Sequence, residues 1–277
     1  MDIIINATLD SVPQGLVPIT SLGNFYHNIL ACLAYPSDFP PVADLLRQYH
    51  GLEGQWLIVS PIHWQATHND AMIIAEGNEL GLSETESHQW FDVFNEFVSP
   101  ENMMLHYHDA HTWLLRCDGK PEVVAKPVHT LRHKSMMPEL QCLDKTLFFQ
   151  RFITETQMLL SAHPLNKSRT GLLPINGVWL WGGGKLHAPL SIPIVGHNQR
   201  LVRLAKLLST HVYDEKTVPF LTKDSMLLFN DVGQLDHSDL HVQLQKKSAR
   251  WYWNNLAYFS KPKSWLSRLM EKMHHAN

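Results

Sequence analysis

Apolar residues recur along this chain at two different periods. In Leu82–Ser99, Trp90, Phe91, Phe94 and Phe97 fall at helical spacing, and Ser83 stands three residues ahead of Glu86, the spacing of a capping box. Asp144–Ala162 is the strongest predicted helix and stops at His163-Pro164, where proline forbids continuation. Val42–Gly51 predicts a short amphipathic helix closed by its glycine. It follows a helical segment at Gly23–Leu33 that is broken by the proline-rich Ala34–Pro41. Asn198–His211 predicts another helix.

Strand-like runs lie between them. Gln55–Gly77 predicts two strands joined by a Thr67–Asp70 turn. Asn102–Pro127 predicts a strand, a turn at His108–His111, a second strand and a Cys117–Pro121 turn. Gly177–Trp181 predicts a buried strand and Asp224–Asp231 another. The tail from about Leu240, rich in Trp, Lys and Arg, is predicted helical, with Trp251, Leu256, Phe259, Trp265 and Leu269 on one face. Paired strands early and alternating strands and helices later predict an α/β or α+β fold, a central mixed sheet flanked by helices. Residues 1–277 are expected as one domain, with a weak subdivision near 127–138.

Composition narrows the partners. Apolar residues make up 44% and charged residues 18%, an ordinary globular balance, and the net charge of −3 carries no basic footprint. Nucleic acid is therefore not an expected partner. The three cysteines, Cys32, Cys117 and Cys142, form no metal or disulfide motif. No run approaches the ~20 apolar residues of a membrane helix, and the N-terminal stretch lacks the features of a signal peptide. These readings predict a soluble, cytoplasmic chain without a membrane partner.

The candidate chemistry centres on Trp179–Lys185, where a hydrophobic strand meets three consecutive glycines and a lysine. Adjacent glycines leave backbone N–H groups uncovered and can form a nest for an anion. Upstream, Glu155, His163, Asn166 and Arg169 surround the end of the long helix, and Asn176 precedes the strand. Arg169 offers a planar fork for phosphate or carboxylate. The candidate ligand set is thus Glu155, His163, Asn166, Arg169, Asn176, Trp181, Gly182, Gly183, Gly184 and Lys185, for a small phosphorylated or carboxylate ligand. The alternative is that the glycines only turn the chain against bulky Trp179 and Trp181.

Histidine is abundant, at 18 residues. His106 and His108 alternate on one strand face, with Asp109 and His111 in the adjoining turn and His63, His68 and Asp70 on the preceding strand pair. Imidazole and carboxylate together suit a divalent metal. Asp231, Asp236, His237 and His241 are the second candidate metal group. The aromatic C-terminal helix is the candidate surface for a protein partner.

The order E-T-Q-M-L-L-x-x-H-P-L-N-x-x-R followed by P-I-N-G-V-W-L-W-G-G-G resembles the signature of the RpfE-type bacterial regulatory protein family. Ser60–Ile74 resembles that family's earlier Pro-x-His segment, and the likeness runs from about Gln55 to Asp231. The family is in turn similar to cofactor-independent phosphoglycerate mutases of the alkaline-phosphatase superfamily. The resemblance implies a degenerate alkaline-phosphatase-like core with helices on both sheet faces, and phosphorylated small acids as ligands. The enzymes use two divalent metals held by Asp and His, and a phosphorylated serine. Here Asp2 and Asp10 do not form the opening Asp-Gly motif, and Ser238 rather than glycine follows Asp236-His237. Three functions stay open: a regulatory or small-anion-binding protein without the catalytic metal set, a metal-dependent phosphoryl-transfer enzyme, and a structural interaction module whose aromatic tail docks a partner.

Overall fold

The computed structural model describes residues 1–66, 70–218, 220–231, 243–244 and 246–262. Along the chain run β1 (Asp2–Ile5), β2 (Val17–Ile19), α1 (Phe25–Cys32), α2 (Val42–His50), β3 (Trp56–Ala66) and β4 (Ala71–Glu76). Next come α3 (Glu84–Val98), β5 (Met104–Asp109), β6 (Thr112–Arg116), α4 (Met137–Cys142), α5 (Phe148–Ala162) and β7 (Gly177–Trp181). The chain closes with β8 (Leu190–Gly196), α6 (Gln199–Leu208), β9 (Ser209–Asp214), β10 (Met226–Phe229), β11 (Ala249–Tyr252) and β12 (Ala257–Ser260). This is a mixed α/β fold in two compact units, Ala34–Leu186 and Met1–Leu33 with His187–Asn277. The segment 127–138 lies inside the first of these.

The Met1–Leu33/His187–Asn277 unit carries a seven-stranded sheet in the order β2-β12-β11-β1-β10-β8-β9. The strands from β11 to β9 are parallel, and β12 and β2 close one edge antiparallel. Strand β1, at the centre, buries Ile3, Ile4 and Ile5 completely. A central parallel strand is covered on both faces, so its sequence reads as a plain apolar run. Helix α6 returns the chain from β8 to β9. It packs so closely that a Cβ on Gly196 would lie 2.5 Å from the Val202 nitrogen. The side chain of Asn198 caps it, accepting from the Leu201 N–H at 3.0 Å.

The predicted tail helix is overturned between Ala249 and Ser260, where β11 and β12 form an antiparallel hairpin. Asn254 and Asn255 make the connection, and the Trp253 N–H donates to the Leu256 carbonyl at 2.8 Å. Aromatic residues on either side of an Asn-Asn pair favour strands, and Trp251 stacks on Tyr258 across the ladder at 6.0 Å. Trp265 and Leu269 lie outside the described residues.

The Ala34–Leu186 unit is an antiparallel sheet built on the long strand β3. Strand β7 pairs along one edge of β3, while β6 and then β4 take successive stretches of the other, with β5 beyond β6. Helices α2, α3 and α5 pack on β3, β5 and β7 respectively. The apolar stripe of α3 delivers fully buried Trp90 and Phe94, and Trp113 and Phe152 pack on Phe94. Ser83 caps α3 as its spacing predicts, accepting from the Glu86 N–H at 3.2 Å. Among the described residues no helix is long and apolar enough to cross a membrane.

Candidate functional site

Strand β7 ends at Trp181, and both of its indoles are spoken for. Trp179 donates to the Lys126 carbonyl at 2.9 Å and Trp181 to the Ser60 hydroxyl at 3.0 Å. A buried indole N–H with a satisfied acceptor is a packing element. The chain then turns. Gly182 adopts φ +79° and its carbonyl accepts from the Ala43 N–H at 3.0 Å, at the start of α2. A Cβ there would meet Ile58 Cγ1 at 2.9 Å, so glycine is required by both conformation and space. Gly184 follows at φ +116°. The Leu186 N–H then donates to Asp44 at 2.9 Å, which ties the far side of the turn to α2.

This turn forms one wall of a cleft of about 640 Å³. Gly183, Gly184 and Lys185 face it from one side, Asp44 and Arg47 from α2, Gly54–Leu57 from the start of β3, and Lys120–Val123 from the loop after β6. Its charged groups are three cations, Arg47, Lys120 and Lys185, and two carboxylates, Asp44 and Glu122. Asp44 is consumed internally, accepting from Arg47 Nε at 2.8 Å, Gln48 Nε2 at 2.9 Å and the Leu186 N–H at 2.9 Å. Arg47 also donates Nη1 to the Leu52 carbonyl at 2.9 Å, which holds its guanidinium at the cleft. Lys120 is held by Glu101 at 3.0 Å, 4.7 Å from the centre of the Phe148 ring. Lys185 is exposed and has no ion-pair partner among the described residues. None of the hydrogen bonds among the described residues uses the backbone N–H groups of Gly183, Gly184 or Lys185. Among the described residues, the cleft therefore presents unspent donors beside an unspent ammonium.

The residues around the end of α5 have other engagements. Arg169 is 5% exposed. It donates Nη1 to Glu86, Nη2 to the Leu80 carbonyl and Nε to the Leu173 carbonyl, the last at 2.8 Å. Asn166 clasps its own loop, donating to the Leu160 and Ile175 carbonyls at 2.9 Å each and accepting from the Ile175 N–H at 2.8 Å. Asn176 does the same for Trp64, accepting from its N–H and donating to its carbonyl. His163 accepts from the Leu165 N–H at 3.3 Å and packs on Trp90. Glu155 is exposed beside Arg151, at a second hollow floored by Phe97, Phe148 and Phe152. Of the ten candidate ligand residues, the structure brings only Gly183, Gly184 and Lys185 to the cleft, and Trp181 and Gly182 lead the chain into it.

Sequence reasoning missed Arg47, Lys120 and Glu122. Arg47 had a visible signal, an Asp three residues earlier on a helix closed by glycine. Nothing local linked the Lys120 turn to it.

Asp231 follows β10, while Asp236, His237 and His241 of that candidate metal group lie outside the described residues, as does His68. The other histidine group does not assemble as predicted. His63 is hydrogen-bonded to the Pro174 carbonyl at 2.9 Å, and Asp70 accepts from the Ser135 hydroxyl at 2.6 Å. His106 and His108 instead meet His50, whose Nε2 lies 2.8 Å from His108 Nδ1. Burial lowers the pKa of His106. Burial also lowers that of His108, against the opposing pull of Asp109. Among the described residues no group of three or more His, Cys, Asp or Glu could hold a metal ion.

The two units thus define a mixed α/β protein with a polar, cation-rimmed cleft in its Ala34–Leu186 unit. No family model matches the chain, and no curated protein matches it. Among solved structures it is similar to the cofactor-independent phosphoglycerate mutase from Thermoplasma acidophilum DSM 1728. The TM-score is 0.37 and the identity 14%, over 94% of this chain and 88% of that chain.

Proposed function

We propose that this protein binds a small phosphorylated or carboxylate acid in the cleft beside Gly183–Lys185, and that binding serves a regulatory purpose. One observation carries the reading: the N–H groups of Gly183, Gly184 and Lys185 and the Lys185 ammonium, which have no partner among the described residues, share a cleft with Arg47. Consecutive N–H groups on glycines receive an anion without a Cβ in the way, and ammonium and guanidinium supply charge-assisted hydrogen bonds to its oxygens. The cleft volume suits a ligand of a few carbon atoms with its phosphate. The resemblance of the Glu155–Gly184 stretch to RpfE-type regulatory proteins supports a signalling role for the bound anion. The three free cysteines fit a reducing, cytoplasmic setting.

Calorimetric titration with inorganic phosphate and with 3-phosphoglycerate tests the reading. Binding that weakens at least tenfold in Lys185→Ala and in Arg47→Ala, and that falls with added salt, is the expected result. No binding of either anion, or equal binding by Lys185→Ala, would overturn it. Turnover of a phosphomonoester that requires an added divalent cation would replace it with the phosphoryl-transfer reading.

A further inference from the structure

Helix α2 is fastened at both ends. At its start the Ala43 N–H donates to the Gly182 carbonyl at 3.0 Å and Asp44 accepts from the Leu186 N–H at 2.9 Å, which tie it to both sides of the glycine turn. At its end His50 reaches β5, where its Nε2 lies 2.8 Å from Nδ1 of His108. Gly51 then turns the chain in the left-handed region at φ +68°. The Gly51 N–H donates to the Gln48 carbonyl at 3.1 Å and the Leu52 N–H to the Arg47 carbonyl at 2.9 Å. Arg47 returns a bond from Nη1 to the Leu52 carbonyl, so the cleft's guanidinium is held by the segment that His50 fastens. Alternation puts His106 and His108 on one face of β5, while Tyr107 turns to the other and meets His88 and Phe91 of α3. The titratable groups around the His50–His108 contact are therefore Tyr49 of α2, its ring centre 6.4 Å from that of His108, and His106 and Asp109 of β5. The His106 ring centre is 4.4 Å from that of His50, and Asp109 Oδ2 is 3.7 Å from His108 Nε2. Trp56 of β3, 6.5 Å from His106, adds no charge.

The contact needs a proton on one of the facing nitrogens and a lone pair on the other. A first proton from solvent goes to an outer nitrogen, His50 Nδ1 or His108 Nε2, and leaves the contact intact. A second has only the bonding lone pair to take. Both facing nitrogens then carry hydrogen, and two imidazolium rings confront each other across the same gap. Burial opposes that charge. It lowers the pKa of His108, with Asp109 pulling the other way and His106 adding to the lowering, and it lowers that of His106. We propose that the His50–His108 contact is an acid-released latch, which frees the end of α2 from β5 when both rings are protonated and thereby weakens anion binding at Arg47. Histidines whose folded pKa is lowered contribute stability that is fully present above the ordinary value, near 6.5, and lost as pH falls from there towards the folded one. The latch is thus closed at neutral pH and opens in mild acid. Only its effect on affinity rests on the anion reading of the cleft; the release of α2 does not.

Amide hydrogen exchange in the full-length protein tests the latch at the Gly51 and Leu52 N–H groups, followed by NMR at pH 7.5 and 5.0 and corrected for the intrinsic rate at each pH. Calorimetric titration with sulfate, whose charge does not change over this range, reads the cleft under the same conditions. The expected result is a fall of about tenfold or more in the protection of both amides at pH 5.0, with a similar fall in sulfate affinity. His108→Gln keeps an acceptor for His50 and takes up no proton, so it should show neither fall. Circular dichroism melts at pH 7.5 establish that it folds, and His50→Gln gives the readout if it does not. Protection that is equal at the two pH values, or that falls as much in the folded variant, overturns the latch. Lost protection with undiminished sulfate affinity overturns its link to the cleft. Lost protection with no sulfate bound at either pH leaves the latch in place and overturns the anion reading alone.

Discussion

Arg169 and Glu86, 83 residues apart in sequence, form an ion pair between a buried guanidinium and a half-buried carboxylate, which joins the loop after α5 to the first turn of α3. The same guanidinium also satisfies the carbonyls of Leu80 and Leu173. Removing one partner of such a pair strands the other charge, at roughly 3–5 kcal/mol. Arg169→Ala is expected to lose stability on that scale in urea unfolding. Glu86→Gln should lose less, because the amide oxygen still accepts from Arg169. A small effect of Arg169→Ala on stability, with a large one on anion affinity, would return Arg169 to the binding site.

The glycine turn separates structural from ligand-binding roles position by position. Gly182→Ala forces a Cβ to within 2.9 Å of Ile58 and 3.2 Å of the Ala43 nitrogen, at a φ that disfavours any side chain. Overpacking and backbone strain together predict a loss of about 2–4 kcal/mol. At Gly184 a Cβ would touch Pro41 only at an ordinary 3.4 Å, so the left-handed φ is the main cost, about 1–2 kcal/mol. Thermal melts should therefore rank Gly182→Ala well below Gly184→Ala. Equal melting temperatures would show that the turn is free to relax.

Asp144 does the capping that Leu147, at the start of α5, cannot. Its carboxylate accepts from the N–H groups of Thr146, Phe148 and Phe149 and from the Thr146 hydroxyl, at 2.6 to 3.2 Å. Burial pushes its pKa up, but the bonds from Thr146, Phe149 and Phe148 outweigh burial and hold it below the usual carboxylate value. A depressed folded-state pKa gives stability that is present above the unfolded value, near 3.9, and lost as pH falls through the folded one. Asp144→Asn should cost about 1–2 kcal/mol at pH 7. The deficit should shrink on acidification below about pH 4 as the wild type loses its carboxylate. A deficit that is constant down to pH 2 would show that the charge contributes nothing.

What could be read from the chain alone depended on how local the signal was. Helices α2, α3 and α5 announced themselves through periodicity, Gly51, Ser83 and Pro164, because those devices act within one or two turns. Strand β7 was legible because an apolar run met the glycines. Strands β8 and β9 were not predicted, since polar and proline residues interrupt them and parallel pairing supplies what the sequence pattern lacks. The candidate site was half legible. Its wall, Gly183–Lys185, lies in one stretch, but Arg47 and Lys120 arrive from distant elements. The conspicuous Arg169 offers ligand chemistry in the sequence, but the half-buried carboxylate of Glu86 holds it in the structure. The packing of His50 against His106 and His108 had no local signal, because helix-to-sheet packing alone brings them together.

Glu76 supplies a pH signature of the Ala34–Leu186 unit. It ends β4, opposite Ile62 of β3. Burial raises its carboxyl from an ordinary 4.5 to about 7, with Arg132 pulling it down and Glu79 pushing it up. Arg132 gives its short contact, 2.7 Å, to Glu79 instead. A carboxyl whose folded pKa is raised contributes stability that is fully present below the unfolded value and lost as pH rises through the folded one. The wild-type protein should therefore weaken between about pH 4.5 and 7 by up to ~1.4 kcal/mol per pH unit at the steepest, the effect of one proton. Glu76→Gln removes that slope, so the variant should gain on the wild type as pH rises and hold a constant advantage above about pH 7.5. Urea unfolding of both proteins at half-unit steps from pH 4.5 to 8.5 measures the difference. A flat difference across that range would mean that Glu76 ionises as an exposed carboxylate does and that its burial is incomplete in solution.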